Sequence, residues 1–148
     1  MRINSAARIA LACGSPFNWS GALSRVLIVD DESGIRFALK RWFERQQWTV
    51  VEARDGHEAI EALDGSVALS APFDLVVCDL HLPGVSGEDI VLRLRTDHPA
   101  LVAKVILTTG DAIDDAMPGS VLATHPHVLQ KPFDLVTLRA FVERLQTN

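Results

Sequence analysis

The sequence predicts an α/β domain built on a parallel sheet, and three observations carry that expectation. Five short apolar runs, several rich in β-branched residues, lack the clean polar alternation of a half-exposed strand. Helical patterns separate each run from the next, so strand and helix alternate along the chain. Four of the five runs finish on a polar residue, at the strand ends where open parallel sheets bind ligands.

Val26-Leu27-Ile28-Val29 is a continuous apolar run, as a strand buried on both faces requires. After Asp30-Asp31-Glu32-Ser33 comes a helix with Ile35, Ala38, Leu39, Trp42 and Phe43 on one face. Thr49-Val50-Val51-Glu52 is the second strand, and Gly56 to Leu69 the second helix. Its inner stripe is Ala59, Ile60, Leu63 and Val67, with Gly65 placed to end it early. Phe73 to Cys78 is the third strand, followed by the turn Leu82-Pro83-Gly84. Ser86 and Gly87 open a third helix, which buries Ile90, Val91 and Leu94. Val105-Ile106-Leu107 is the fourth strand. The helix expected over Asp111–Thr124 is interrupted by Pro118-Gly119 and should be short or irregular. His127-Val128-Leu129 is the fifth strand. The last helix, Asp134 to Leu145, turns Leu135, Leu138, Val142 and Leu145 inward.

Composition narrows the function. The 148 residues suit one domain, expected over residues 25–146. Residues 1–24 are excluded from it, as a flexible extension or a start assigned too early. The net charge of −5 gives no electrostatic reason to expect a nucleic-acid partner. The apolar stretches fall far short of the roughly 20 residues a membrane helix requires. Two cysteines, Cys13 and Cys78, form no disulfide framework and fit a reducing, cytoplasmic setting.

The polar strand ends are Asp30-Asp31, Asp79, Thr108-Thr109 and Lys131. Three carboxylates meeting in a small volume repel one another unless a cation neutralises them. Oxygen ligands without cysteine or paired histidine suit a hard ion, and so few of them suggest Mg²⁺. Such a set needs only positioning and charge neutralisation to direct in-line phosphoryl transfer onto a carboxylate, with the Lys131 ammonium and Thr109 hydroxyl taking remaining phosphoryl oxygens.

Four segments together resemble the receiver domains of two-component response regulators. They are Val26-Leu27-Ile28-Val29-Asp30-Asp31-Glu32, Asp74-Leu75-Val76-Val77-Cys78-Asp79-Leu80-His81-Leu82-Pro83-Gly84, Ile106-Leu107-Thr108-Thr109-Gly110-Asp111 and Gln130-Lys131-Pro132-Phe133. They occur in that family's order, and the resemblance runs from about Arg25 to Leu145. It implies a flavodoxin-like, doubly wound sheet of order 2-1-3-4-5 with helices on both faces. It implies that Asp79 is the phosphoacceptor, Thr109 the switch hydroxyl, and Lys131 the cation that pairs with the acceptor or its phosphate. The implied Mg²⁺ ligands are Asp30, Asp31, Asp79 and the backbone carbonyl of His81. Pro132 then holds the bend after Lys131, and Gly87 lets the loop after Pro83 enter the third helix. The implied phosphodonor is a histidine kinase or a histidine phosphotransfer protein, and the output an unidentified downstream protein. The product is a changed surface, so the chain is expected not to be an enzyme.

Two positions depart from the family. Val128 stands where an aromatic residue is usual, and Pro118-Gly119 interrupts the preceding helix. Both lie in a region where receivers contact partners, a homodimer among them. No output domain follows in this sequence, so a phosphorelay intermediate, a phosphate sink and a phosphate-free interaction module are the alternative expectations. A metal-dependent phosphatase with an aspartate nucleophile fits less well, because Asp30-Asp31-Glu32 is not its Asp-x-Asp motif. His125 and His127 have a spacing open to metal ligation, but without a third ligand they are expected in a solvated loop.

Overall fold

The computed structural model describes residues 24–146, so the expected extension lies outside the described residues except at Ser24. Among the described residues there are five strands: β1 (Arg25–Val29), β2 (Thr49–Ala53), β3 (Leu75–Asp79), β4 (Val105–Thr109) and β5 (Val128–Gln130). They form one sheet in the order β2-β1-β3-β4-β5, and each neighbouring pair is parallel. The helices are α1 (Ser33–Arg45), α2 (Gly56–Ala68), α3 (Gly87–Asp97), α4 (Pro99–Val102), α5 (Val121–Thr124) and α6 (Leu135–Gln146). A 3-10 turn spans Ile113–Asp115.

The continuous apolar runs have the physical cause expected of them. Alternate strand residues point to opposite faces, and both faces are covered. Val26, Ile28, Leu75, Val77 and Ile106 pack with Leu39 and Phe43 of α1 and Leu138 and Val142 of α6. Leu27, Val29, Val76, Cys78 and Leu107 pack with Leu63 of α2 and Ile90, Val91 and Leu94 of α3. Every residue of β3 and β4 is buried. The sheet is doubly wound.

Local chemistry sets the helix starts. Asp55 accepts from the Glu58 N–H at 2.9 Å, and Ser86 with Asp89 forms a reciprocal capping box at the head of α3. Gly87 is obligatory there, because a Cβ would collide with the Asp79 carbonyl. That close approach seats the loop after β3 directly on the strand end.

Several expectations are corrected. Gly65 does not end α2, which runs to Ala68. Val67 is exposed, and the buried position beside it is Ser66, whose hydroxyl is satisfied by donating to the Leu63 carbonyl at 2.6 Å. Leu135 and Ala38 are exposed rather than inward. The one-turn α4 was not anticipated, although Pro99 at its first position is a usual helix start. The stretch around Pro118-Gly119 holds only the 3-10 turn and the one-turn α5, as expected. No helix among the described residues is long and apolar enough to cross a membrane.

Candidate functional site

At the carboxyl rim of the sheet the polar strand ends converge. Asp30 follows β1, Asp79 closes β3, and Lys131 follows β5. One carboxylate oxygen from each of Asp30, Asp31 and Asp79 lies within 4.8 Å of the other two. Asp30 and Asp79 are buried, whereas Asp31 faces solvent. Lys131 Nζ stands 3.0 Å from Asp30 Oδ2 and 3.0 Å from Asp79 Oδ2. One ammonium therefore bridges two buried carboxylates.

The remaining carboxylate oxygens are held by the backbone. Asp30 Oδ1 accepts from the Glu32 N–H at 2.9 Å, and Asp79 Oδ1 from the His81 N–H at 3.2 Å. Burial pushes the Asp79 carboxyl above its ordinary range, and the Lys131 ammonium and His81 N–H only partly offset this. Burial acts on Lys131 in the opposite sense, but its two carboxylate partners outweigh it and hold its pKa above the ordinary lysine value. The neighbouring Cys78 thiol is pushed up by burial and stays protonated.

Thr109 closes β4 and is fully buried. Its hydroxyl accepts from the Asp111 N–H at 3.0 Å, so it is engaged within its own loop. Its carbonyl accepts from the Lys131 N–H at 2.6 Å, which fixes the lysine's backbone against β4. The Lys131-Pro132 peptide is cis. Thr108 is also buried and is paired in register with Asp79.

Above the rim, His81 Nε2 and Asp111 Oδ2 lie 2.5 Å apart, joining the loops after β3 and β4. The histidine thus enters the site by its backbone N–H while its imidazole spans the mouth. His125 and His127 lie elsewhere, before β5, and their expected solvated loop is corrected. His125 is buried and its Nε2 donates to the Val105 carbonyl at 2.6 Å. The cause is the sheet itself, since the first carbonyl of β4 otherwise lacks a partner there.

Sequence reading passes over Arg36. It lies in the first turns of α1, its guanidinium donates to the Asp30 carbonyl at 2.7 Å, and its Nε is 3.6 Å from Glu52 Oε1. A basic residue on the polar side of a helical pattern carries no sequence signal for such a role.

Chemically, three carboxylates opposed by one ammonium leave net negative charge in a largely buried place. An oxygen-only donor set of this kind fits a hard divalent cation that keeps open positions. The Response regulator receiver domain model matches residues 26–143. The transcriptional regulatory protein QseB of Escherichia coli O157:H7 is 33% identical over 124 residues, covering 82% of this chain and 52% of QseB. ResD of Bacillus subtilis (strain 168), also a transcriptional regulatory protein, is 30% identical over 110 residues, covering 74% of this chain and 42% of ResD. The chain thus spans about half the length of the curated relatives it matches. Among solved structures, the response regulator TrrA of Thermotoga maritima, in complex with Mg²⁺-BeF, superposes with a TM-score of 0.68 at 28% identity. That match covers 83% of this chain and 99% of TrrA. A receiver domain protein of Clostridium thermocellum gives a TM-score of 0.70 at 26% identity, covering 84% and 95% of the two chains.

Proposed function

The chain belongs to the response regulator receiver domain family, and on that premise we propose that Asp79 accepts a phosphoryl group from a phosphohistidine donor in a Mg²⁺-dependent reaction. The observation that carries this reading is the bridge of Lys131 to Asp79 and Asp30, with Asp31 closing the same acidic cluster.

The Asp79 carboxylate is the nucleophile. Its attack forms a P–O bond as the P–N bond to the donor imidazole breaks; the donor ring, protonated on its other nitrogen, takes the electron pair and leaves as neutral imidazole. Asp30, Asp31, Asp79 and the His81 carbonyl would hold Mg²⁺, which when bound would supply positive charge to offset the phosphoryl oxygens. Lys131 keeps its proton throughout and moves its contact from the carboxylate to the new phosphate. Asp79 must stay ionised despite its burial, and the ammonium at 3.0 Å does that work before the donor arrives. The Thr109 hydroxyl exchanges its acceptance from Asp111 for donation to the phosphoryl group, which draws the loop after β4 inward.

A donor has a place to dock. Beside Lys131 an open groove of about 550 Å³ is walled by Ile35, Ala38, Leu39, Phe133 and Leu135. The exposed Ala38 and Leu135 belong to this surface, and it suits the apolar face of a donor helix. The chain acts as a switch in the cytoplasm rather than as an enzyme, delivering its signal to a protein partner. The acidic net charge supports a protein over nucleic acid as that partner.

Incubation with acetyl phosphate and Mg²⁺, followed by intact-mass measurement, tests the reading. The wild-type chain should gain one phosphoryl group, and both Asp79→Asn and added chelator should abolish the gain. Labelling that persists in Asp79→Asn would move the acceptor elsewhere and overturn the proposal.

A further inference from the structure

β1 ends at Val29, and from Asp30 the chain leaves the sheet to enter α1. The Asp30 N–H still reaches the Ala53 carbonyl at 3.2 Å, so the residue is anchored on its amino side. Its side chain is fixed at both oxygens, by Glu32 and Lys131. The Asp30 carbonyl is the remaining point of freedom, and a buried carbonyl at a strand end needs a donor. Arg36 provides it, at 2.7 Å, from a side chain only 14% exposed.

The guanidinium is itself held. Its Nε faces Glu52 Oε1 at 3.6 Å, and the other carboxylate oxygen of Glu52 faces Lys40 at 3.6 Å. Glu52 lies on β2, paired in register with Ile28 of β1. A chain of contacts therefore runs from the second strand through Arg36 to the peptide between the two acidic residues of the rim. The rigid planar fork holds Nη1 and Nε a fixed distance apart, so one can meet the carbonyl while the other faces Glu52; a compact ammonium on a flexible stem does not reproduce that spacing.

We propose that Arg36 is a positioning residue for the divalent-cation site: its guanidinium clamps the Asp30 carbonyl to Glu52 and so fixes the peptide from which the Asp30 and Asp31 carboxylates project. This rests on the Mg²⁺-dependent reading of the site. Arg36 touches neither carboxylate, so its effect on the ion runs through ligand geometry, as for the outer partners of other metal ligands. Its charge acts in the opposite direction, because a cation near the site repels the incoming ion. The two roles predict opposite signs.

Binding of Mn²⁺ to the full chain, read by electron paramagnetic resonance, separates them, with thermal melting of the ion-free proteins alongside. Under the clamp, Arg36→Met and Arg36→Lys should each weaken binding roughly tenfold, while melting shifts far less than binding. Glu52→Gln should weaken it less, and should add nothing in the Arg36→Met background, since both break one chain of contacts. Unchanged or tighter binding in Arg36→Met, or full rescue by Arg36→Lys, would overturn the clamp and leave the function intact. Absence of binding by the wild-type chain would overturn both.

Discussion

Buried titratable groups stand at both ends of the sheet, and the two ends treat them differently. At the carboxyl end, Asp30 and Asp79 are bridged by Lys131 and further satisfied by backbone N–H groups. At the amino end, His125 and His127 stack edge to face at 6.1 Å, and His127 packs in turn on Phe141. Arg95 faces His125, and Lys104 and Arg144 face His127. His125 is satisfied by the Val105 carbonyl, while the buried Nδ1 of His127 has no hydrogen-bond partner. Burial first, then the like charges, lowers both imidazole pKa values. One end therefore holds charge by compensation, and the other avoids charge by staying neutral. The proposed phosphoacceptor rim opposes its carboxylates with an ammonium, whereas the histidine end sets an imidazole edge against Phe141.

Lys131→Met breaks this contrast most severely, because it leaves two buried carboxylates uncompensated. It should cost about 3 kcal/mol at neutral pH in urea denaturation. The loss should shrink in acid: the Asp79 pKa is already raised, so the native state binds more protons than the unfolded chain and gains stability as pH falls through that value. An unchanged midpoint would mean the carboxylates do not depend on the ammonium.

His125→Ala comes next. It strands the Val105 carbonyl and should cost about 2 kcal/mol by the same measurement. A third, milder effect is the acid limb of the wild type. Both histidines titrate below 6.5 in the folded state, so the unfolded chain binds more protons and stability should fall as pH drops below that value. His127→Leu should flatten this limb, and an equal slope would show that the imidazoles do not titrate differently on folding. The smallest effect sharpens the comparison from the other side. Asp31→Asn relieves repulsion at the rim and should stabilise the ion-free chain by about 0.5 kcal/mol, while removing the stabilisation that Mg²⁺ brings to the wild type.

Much of this was legible in the residues because the controlling signals are local. The buried strands announced themselves as uninterrupted apolar runs, and Ser86 with Gly87 marked the start of α3. The rim was legible because each polar residue lies within two positions of the end of an apolar run. What escaped depends on neighbours distant in sequence. His125 is buried because a carbonyl 20 residues away needs its proton. Arg36 matters because Glu52 lies opposite it on another strand. Val67 fits an apolar stripe by spacing, yet α2 turns Ser66 inward, and a hydroxyl donating to its own helix makes that burial tolerable. Leu135 and Ala38 fit inward faces equally well, but they line the groove beside Lys131 instead.

Titration of the full chain with Mg²⁺, followed through backbone amide chemical shifts, examines the meeting of remote residues around one ion most directly. The account predicts saturable shifts centred on Asp31, Asp79 and His81, with Lys131 responding and the segment around His125 silent. Shifts centred on any other part of the sheet, or none at millimolar ion, would contradict it.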